Sequence, residues 1–283
     1  MSYRELYLTK SPLITFSQPG KDARLVMFGV PYDSTTSYRP GTREGPNAFR
    51  NAYLNIEVDD HYLQASAEFL PVIDAGDLVR NYNSEFVIEA VSKVTGEIKE
   101  NNQIPGIVGG EHLLALGSAR NFQDSGLLVF DAHLDYRTEL CGLKISHGTW
   151  LRRLLEQSSF KKVVHVGSHC TTQEEKDIAG KVKVVNVYDL EQNPELYAEA
   201  MDGIDRVYIS IDLDVVDPAY APGVGNPEPA GLSSRELLKL LYALKGRTIV
   251  GFDINELNPL FDNGSTSALA AKLFSVLAIM SCR

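Results

Sequence analysis

The run Leu127-Leu128-Val129-Phe130 is apolar at every position, so as a strand it must be buried on both faces. Seven further short apolar runs recur along the 283-residue chain, over 25–30, 71–75, 106–108, 163–166, 182–187, 206–211 and 248–252. Stretches with helical periodicity lie between them, near 46–54, 84–101, 112–121, 148–157, 173–179, 194–201, 233–244 and 265–281. Apolar strands alternating with helices predict an α/β protein whose parallel sheet is covered on both faces. Eight such units fit either an open sheet or a closed barrel, and the residues alone leave both open. No linker, low-complexity tract or shift in composition divides the chain, so one domain is expected over 1–283. Its first 22 residues, broken by Pro12 and Pro19-Gly20, read as irregular.

The apolar run at 127–130 leads straight into Asp131-Ala132-His133-Leu134-Asp135. In an extended segment every second side chain points the same way, so Asp131, His133 and Asp135 are expected to converge beyond the strand's end. A second run, 207–211, leads into Asp212-Leu213-Asp214 with the same spacing. His112 follows Gly109 and Gly110, which permit a sharp turn into a helix. A fourth polar cluster, Asp253-Ile254-Asn255-Glu256, follows the last strand. Sites in α/β folds form outside the carboxyl ends of strands, so the four clusters can meet on one rim.

Carboxylates that can bridge, joined by imidazoles and no thiolate, suit a pair of close divalent cations. That donor set favours Mn²⁺, with Fe²⁺, Co²⁺ and Ni²⁺ as alternatives, over structural zinc. Mg²⁺ rarely takes two imidazoles. Such a pair lowers the pKa of bound water from 15.7 towards about 7, which points to hydrolysis. The formal charge of −10 argues against a nucleic-acid or anionic-membrane partner and mildly favours a cationic substrate. Cys141, Cys170 and Cys282 are odd in number and unpaired in spacing, as in a reduced compartment. The opening Met-Ser-Tyr-Arg-Glu-Leu has no apolar signal region, and no run approaches 18 apolar residues. A cytoplasmic, soluble protein is expected.

Six ordered motifs carry a resemblance. They are Gly109-Gly110-Glu111-His112, Asp131-Ala132-His133-Leu134-Asp135, Ser146-His147-Gly148-Thr149, the segment 210–218 from Ser210 to Pro218, the Gly/Pro-rich segment 222–233, and Asp253-Ile254-Asn255-Glu256-Leu257-Asn258-Pro259. With 28–33 and 38–46 near the amino terminus, the chain resembles the ureohydrolases, the family of arginase, agmatinase, guanidinobutyrase and formimidoylglutamase. Among these it is most similar to agmatinase. The resemblance implies a three-layer α/β/α sandwich, two Mn²⁺ per chain and a homo-oligomer, trimeric or hexameric.

It also implies roles. Asp131 and Asp212 would bridge the ions, His112 and Asp135 would complete one, and His133 and Asp214 the other. Asp135 would also orient the attacking hydroxide, His147 would pass a proton to the leaving amine, and Glu256 would clamp the guanidinium. Asp217 would hold its loop's backbone, and His61, His165 and His169 match no motif. Asn226 stands where the family usually has Thr, and Ala230 where Gly is usual. The loop 136–145 lacks the Asn/Ser pattern with which arginases receive an amino acid. Acidic Glu139 or Glu228 would favour a substrate with a free amine, agmatine first. Arg137 and Lys144 would instead favour a guanidino acid such as guanidinobutyrate. Two other readings are a one-zinc deacetylase of the same fold and a catalytically silent scaffold.

Overall fold

Among the described residues of the computed structural model (2–9, 14, 23–178 and 180–283), eight strands form one parallel sheet. In chain order they are β1 (Leu25–Val30), β2 (Val72–Asp77), β3 (Ile104–Gly109), β4 (Gly126–Phe130), β5 (Val163–Val166), β6 (Lys183–Val185), β7 (Arg206–Asp212) and β8 (Thr248–Asn255). Their order across the sheet is 2-1-3-8-7-4-5-6. The sheet is therefore open, with β2 and β6 at its edges, and the barrel alternative falls. Its four central strands, β3, β8, β7 and β4, are the four that run into the polar clusters. Strands far apart in sequence thus deliver all four clusters to one stretch of rim.

Each strand feeds two cores. Leu128 and Phe130 of β4 face one side with Val207, Ile209 and Ile211 of β7, under Phe49, Leu273 and Phe274. Leu127 and Val129 face the other side, with Val91, Leu116 and Trp150. This period-two split is why the strands read as continuous apolar runs, and it makes three layers. The helix Ser265–Cys282 has a mean hydropathy of 1.5 and the length to cross a membrane, but 72% of it is buried. It packs against β8 and the helix Gly45–Tyr53 as a core element.

Three local expectations change. The first residues are not all irregular: Tyr3–Tyr7 is helical, with Ser2 accepting from Arg4 N and Glu5 completing a capping box. Residues 10–13 and 15–22 lie outside the described residues. The strand expected over 182–187 ends at Val185, because the Asn186 side chain accepts from Asp189 N and starts the helix Val187–Gln192. The helix expected from His112 begins at Leu114.

A buried ion cluster ties the helix Gly45–Tyr53 to β2. Arg50, 1% exposed, makes two bonds to Asp74 (2.7 and 3.0 Å), one to Asp77 (2.6 Å) and one to the Gly76 carbonyl (3.1 Å). Removing the cation would strand a buried carboxylate, which costs about 3–5 kcal/mol. Arg50→Met is expected to lower the stability measured by urea unfolding by that amount. A loss under about 1 kcal/mol would show the cluster to be weakly coupled.

Candidate metal centre and active-site pocket

Asp131 makes its own turn. Its Oδ1 accepts from His133 N at 2.7 Å, while Oδ2 stands 3.0 Å from His112 Nδ1. Asp212 repeats the division: Oδ1 accepts from Asp214 N at 2.9 Å, and Oδ2 lies 3.2 Å from the same imidazole nitrogen. Asp214 Oδ1 accepts from Ala132 N (3.1 Å), and its Oδ2 lies 2.9 Å from His133 Nδ1. In each carboxylate one oxygen shapes backbone and the other faces the centre. The expectation that 131–135 converges as an extended strand is corrected here. The strand stops at Phe130, the Asp131 turn follows, and Asp135 takes a left-handed φ of +48°. Trp150 Nε1 donates to Asp135 Oδ2 at 2.9 Å and holds it in that strained conformation, 3.3 Å from His112 Nδ1.

Three groups of potential ligands result among the described residues; His133, Cys170 and Glu228 form an outer one, and the two inner ones share a residue. His112, Asp131 and Asp135 form one, and Asp131, His133 and Asp214 form the other, with donor atoms within 4.8 Å of one another in each. Asp212 reaches the first inner group through His112. Asp212 and all residues of the inner groups except half-buried His133 are buried.

Electrostatics supports a cationic occupant. Burial alone would lower the His112 pKa, but Asp131, Asp135 and Asp212 hold it well above 6.5. His133 behaves alike: burial opposes the shift, and Asp214 and Asp131 carry it upward. Burial and repulsion from Asp214 and Asp131 push Asp212 well above the usual carboxylate range. Asp131 is lowered, because His112 and His133 outweigh its burial and the Asp135 charge. Protons are therefore standing in for positive charge that four crowded carboxylates need. His112 Nδ1 and Asp131 Oδ2, both buried, make no hydrogen bond among the described residues. Two divalent cations would fit this set and would displace those protons, so affinity should rise with pH.

A pocket of about 390 Å³ opens on the centre, lined by His133, Asp135, His147, Arg137, Asn226 and Glu228 among others. Glu256 also lies in the left-handed region, at φ +65°. Its Oε1 accepts from His112 N at 2.8 Å. Burial and the neighbouring Glu111 push its pKa well above 4.5. A Cβ at Gly225 would stand 2.9 Å from Glu256 Oε2, so glycine keeps that oxygen approachable. Gly110 also serves close approach, and not a positive φ: a Cβ there would meet the Tyr32 carbonyl at 2.0 Å.

His147 is buried, and burial lowers its pKa below 6.5. Its Nδ1 lies 3.3 Å from Thr35 Oγ1, and its Nε2 3.2 Å from Ser37 Oγ. Glu111 accepts from Thr35 N (2.8 Å) and from its hydroxyl, and burial raises Glu111 to about 7. Thr35 and Ser37 were not singled out in the sequence. Their only signal is a run of hydroxyl residues between two motif segments.

The loop residues sort clearly. Arg137 and Glu228 line the pocket, while Glu139 and Lys144 are exposed and do not line it. Glu228 Oε1 lies 3.2 Å from His133 Nε2. Asp217 accepts from Ala219 N (2.8 Å) and Ala230 N (2.7 Å), holding the loop backbone. Ala230 sits at φ +71°, a conformation that explains why glycine suits this position better. Asn226 Nδ2 donates to Ser37 Oγ at 3.4 Å. His165 is buried within β5, and His169 packs under the Glu228 carbonyl.

Comparison with known proteins agrees with this geometry. An agmatinase from Pyrococcus horikoshii is 34% identical over 269 residues, covering 93% of this chain and 94% of that one. A proclavaminate amidinohydrolase from Streptomyces clavuligerus is 33% identical, covering 92% and 88%. The crystal structure of an agmatine ureohydrolase from Thermoplasma volcanium superposes with a TM-score of 0.88 at 34% identity, covering 98% and 96%. A model of the arginase family matches residues 23–280, nearly the whole described chain and every cluster on the rim. The chain belongs to the arginase family.

Proposed function

We propose that this protein hydrolyses a guanidino compound to urea and an amine, with agmatine as substrate and putrescine as the amine. The observation that carries the reading is that two three-residue ligand groups share Asp131 and turn His133 and Asp135 into the pocket. His112, Asp131, Asp135 and Asp212 would hold one Mn²⁺, and Asp131, His133, Asp212 and Asp214 the other. When bound, such a pair supplies a nucleophile from water at neutral pH and balances the carboxylates.

The protein's own groups do the rest. Glu256 presents a buried carboxylate that a planar guanidinium can satisfy with parallel N–H bonds, restoring its charged form. Asp135 takes the proton of the attacking water. His147, neutral at pH 7 and at the pocket wall, accepts that proton from Asp135 and hands it to the leaving nitrogen as the C–N bond breaks and the C=O bond of urea forms, which returns both groups to their starting state. Thr35 and Ser37 fix its ring. Glu228 accepts from His133 Nε2–H and keeps Nδ1 directed inward.

The agmatine assignment is supported by the relatives named for that substrate, and by Glu228, an acidic group at the pocket wall. It is tested by urea release after Mn²⁺ loading on agmatine, arginine and guanidinobutyrate side by side. The highest kcat/KM is expected with agmatine. A preference for a guanidino acid would shift the tail contact to Arg137, and no urea from any substrate would overturn the hydrolase reading. A count of two metal ions per chain separates this reading from a one-zinc deacetylase. We further propose a single catalytic domain over the whole chain, a cytoplasmic location and a homo-oligomer, trimeric or hexameric, which sizing by light scattering checks.

A further inference from the structure

Asp253 belongs to the fourth polar cluster, yet it touches neither the pocket nor a ligand group. It is fully buried on β8, directly across from Ser210 of β7. Its carboxylate is ringed by donors: Ser210 Oγ at 2.5 Å and Asn255 Nδ2 at 2.5 Å on Oδ1, Tyr208 Oη at 2.6 Å and Ser118 Oγ at 3.2 Å on Oδ2. A carboxylate offers about four lone-pair sites; Ser210, Asn255 and Tyr208 fill three, and Ser118 divides its proton between Oδ2 and the Ala115 carbonyl (3.3 Å). Ser210 has one proton, and it is spent on Asp253. At 2.9 Å from His112 Nε2, the Ser210 oxygen is then left to accept.

That hydrogen-bond count settles the imidazole. Nε2 carries a proton, and Nδ1, which faces Asp131, Asp135 and Asp212 3.0–3.3 Å away, is the nitrogen whose lone pair a cation would take on displacing the Nδ1 proton. A hydroxyl free to rotate would allow the opposite tautomer, with an N–H aimed into the centre and no lone pair for a cation. Trp150 packs against the imidazole with ring centroids 4.6 Å apart, which limits tilt but cannot choose a tautomer.

We propose that Asp253 is a positioning residue for the metal centre, selecting through Ser210 the tautomer and orientation in which His112 can bind a cation. The inference rests on the reading of His112 as a ligand. Ser210→Ala removes the link while leaving Asp253 three donors, and Asp253→Asn places an amide donor where an acceptor is needed.

The test is Mn²⁺ titration calorimetry on the full-length wild type, both single variants and the double variant. Wild type is expected to bind two ions, one for each ligand group that contains Asp131. Each single variant should weaken one of the two sites about 10- to 100-fold, the usual cost of losing such a partner. The double variant should be little worse than the poorer single, because both act through one chain of bonds. Urea release should recover as Mn²⁺ is raised, which a general packing defect would not allow. If Asp253→Asn does not fold, Ser210→Ala decides alone. Wild-type affinity at both sites in Ser210→Ala would overturn the proposal. Wild type binding no Mn²⁺ would overturn instead the ligand reading beneath it.

Discussion

Asp131→Asn is expected to abolish two-metal binding and to cut urea release by at least about a thousandfold, with the fold intact. The asymmetry of this side chain is the reason. Asn retains an oxygen able to accept from His133 N, so the turn at 131–133 survives. The other position becomes an NH₂, which has no lone pair to offer where Oδ2 now stands 3.0 Å from His112 Nδ1. Both inner ligand groups contain Asp131, so both sites suffer from one substitution. The metal-free variant should be less stable than the wild type, since a buried carboxylate whose charge His112 and His133 stabilise is gone. It should also lose the stabilisation that Mn²⁺ confers, about 2.7 kcal/mol when the ion is present at a hundred times its dissociation constant. Thermal melts with and without Mn²⁺, an elemental count of bound metal and a urea assay make the measurement. Two ions per chain and a tenth of wild-type turnover would refute the bridging role.

Residue types in ordered clusters were enough to read the class of site in the sequence, because ligand chemistry is a property of side chains. Strand order was not readable. Nothing in the local pattern says that β8 and β7 insert between β3 and β4, which is what joins clusters over 100 residues apart. The convergence of Asp131, His133 and Asp135 was foreseen with the wrong geometry, since a period-two argument presumes an extended backbone. Asp131 and Asp212 instead spend one oxygen each on a turn, the ordinary behaviour of Asp at a strand end. The bland role and the functional role are held by the same residue. Asp135 and Glu256 adopt left-handed backbones with no glycine or asparagine to announce them. Such strain is visible only once tertiary contacts hold it, through Trp150 for Asp135 and through His112 N for Glu256. Thr35 and Ser37 carry no specific signal in the sequence for the same cause, and Asp253, visible there as part of a polar cluster, carries no role. A hydroxyl or a second carboxylate carries no signature until its partner across the sheet or the pocket is known.

Glu256→Gln is expected to leave both metals in place and to lower kcat/KM for agmatine by roughly 30-fold to several thousandfold. Removing one partner from a buried, hydrogen-bonded charge pair costs about 2–5 kcal/mol, and each 1.36 kcal/mol is tenfold. Glu256 lies outside all three ligand groups, and its tie to the centre is a bond to the His112 backbone that a Gln oxygen can still accept. Metal content should therefore match the wild type. The substrate, in contrast, would meet a neutral amide whose NH₂ faces its own donors. His147→Ala gives the contrast that makes the assignment specific. It too should keep two metals, but its loss should fall on kcat, about 10²- to 10⁴-fold, with KM little changed, as expected for a lost proton carrier. Loss of metal in Glu256→Gln would mean that the carboxylate supports the ligand shell and does not clamp the substrate. Unchanged kcat/KM would place the guanidinium elsewhere in the pocket and remove Glu256 from the mechanism.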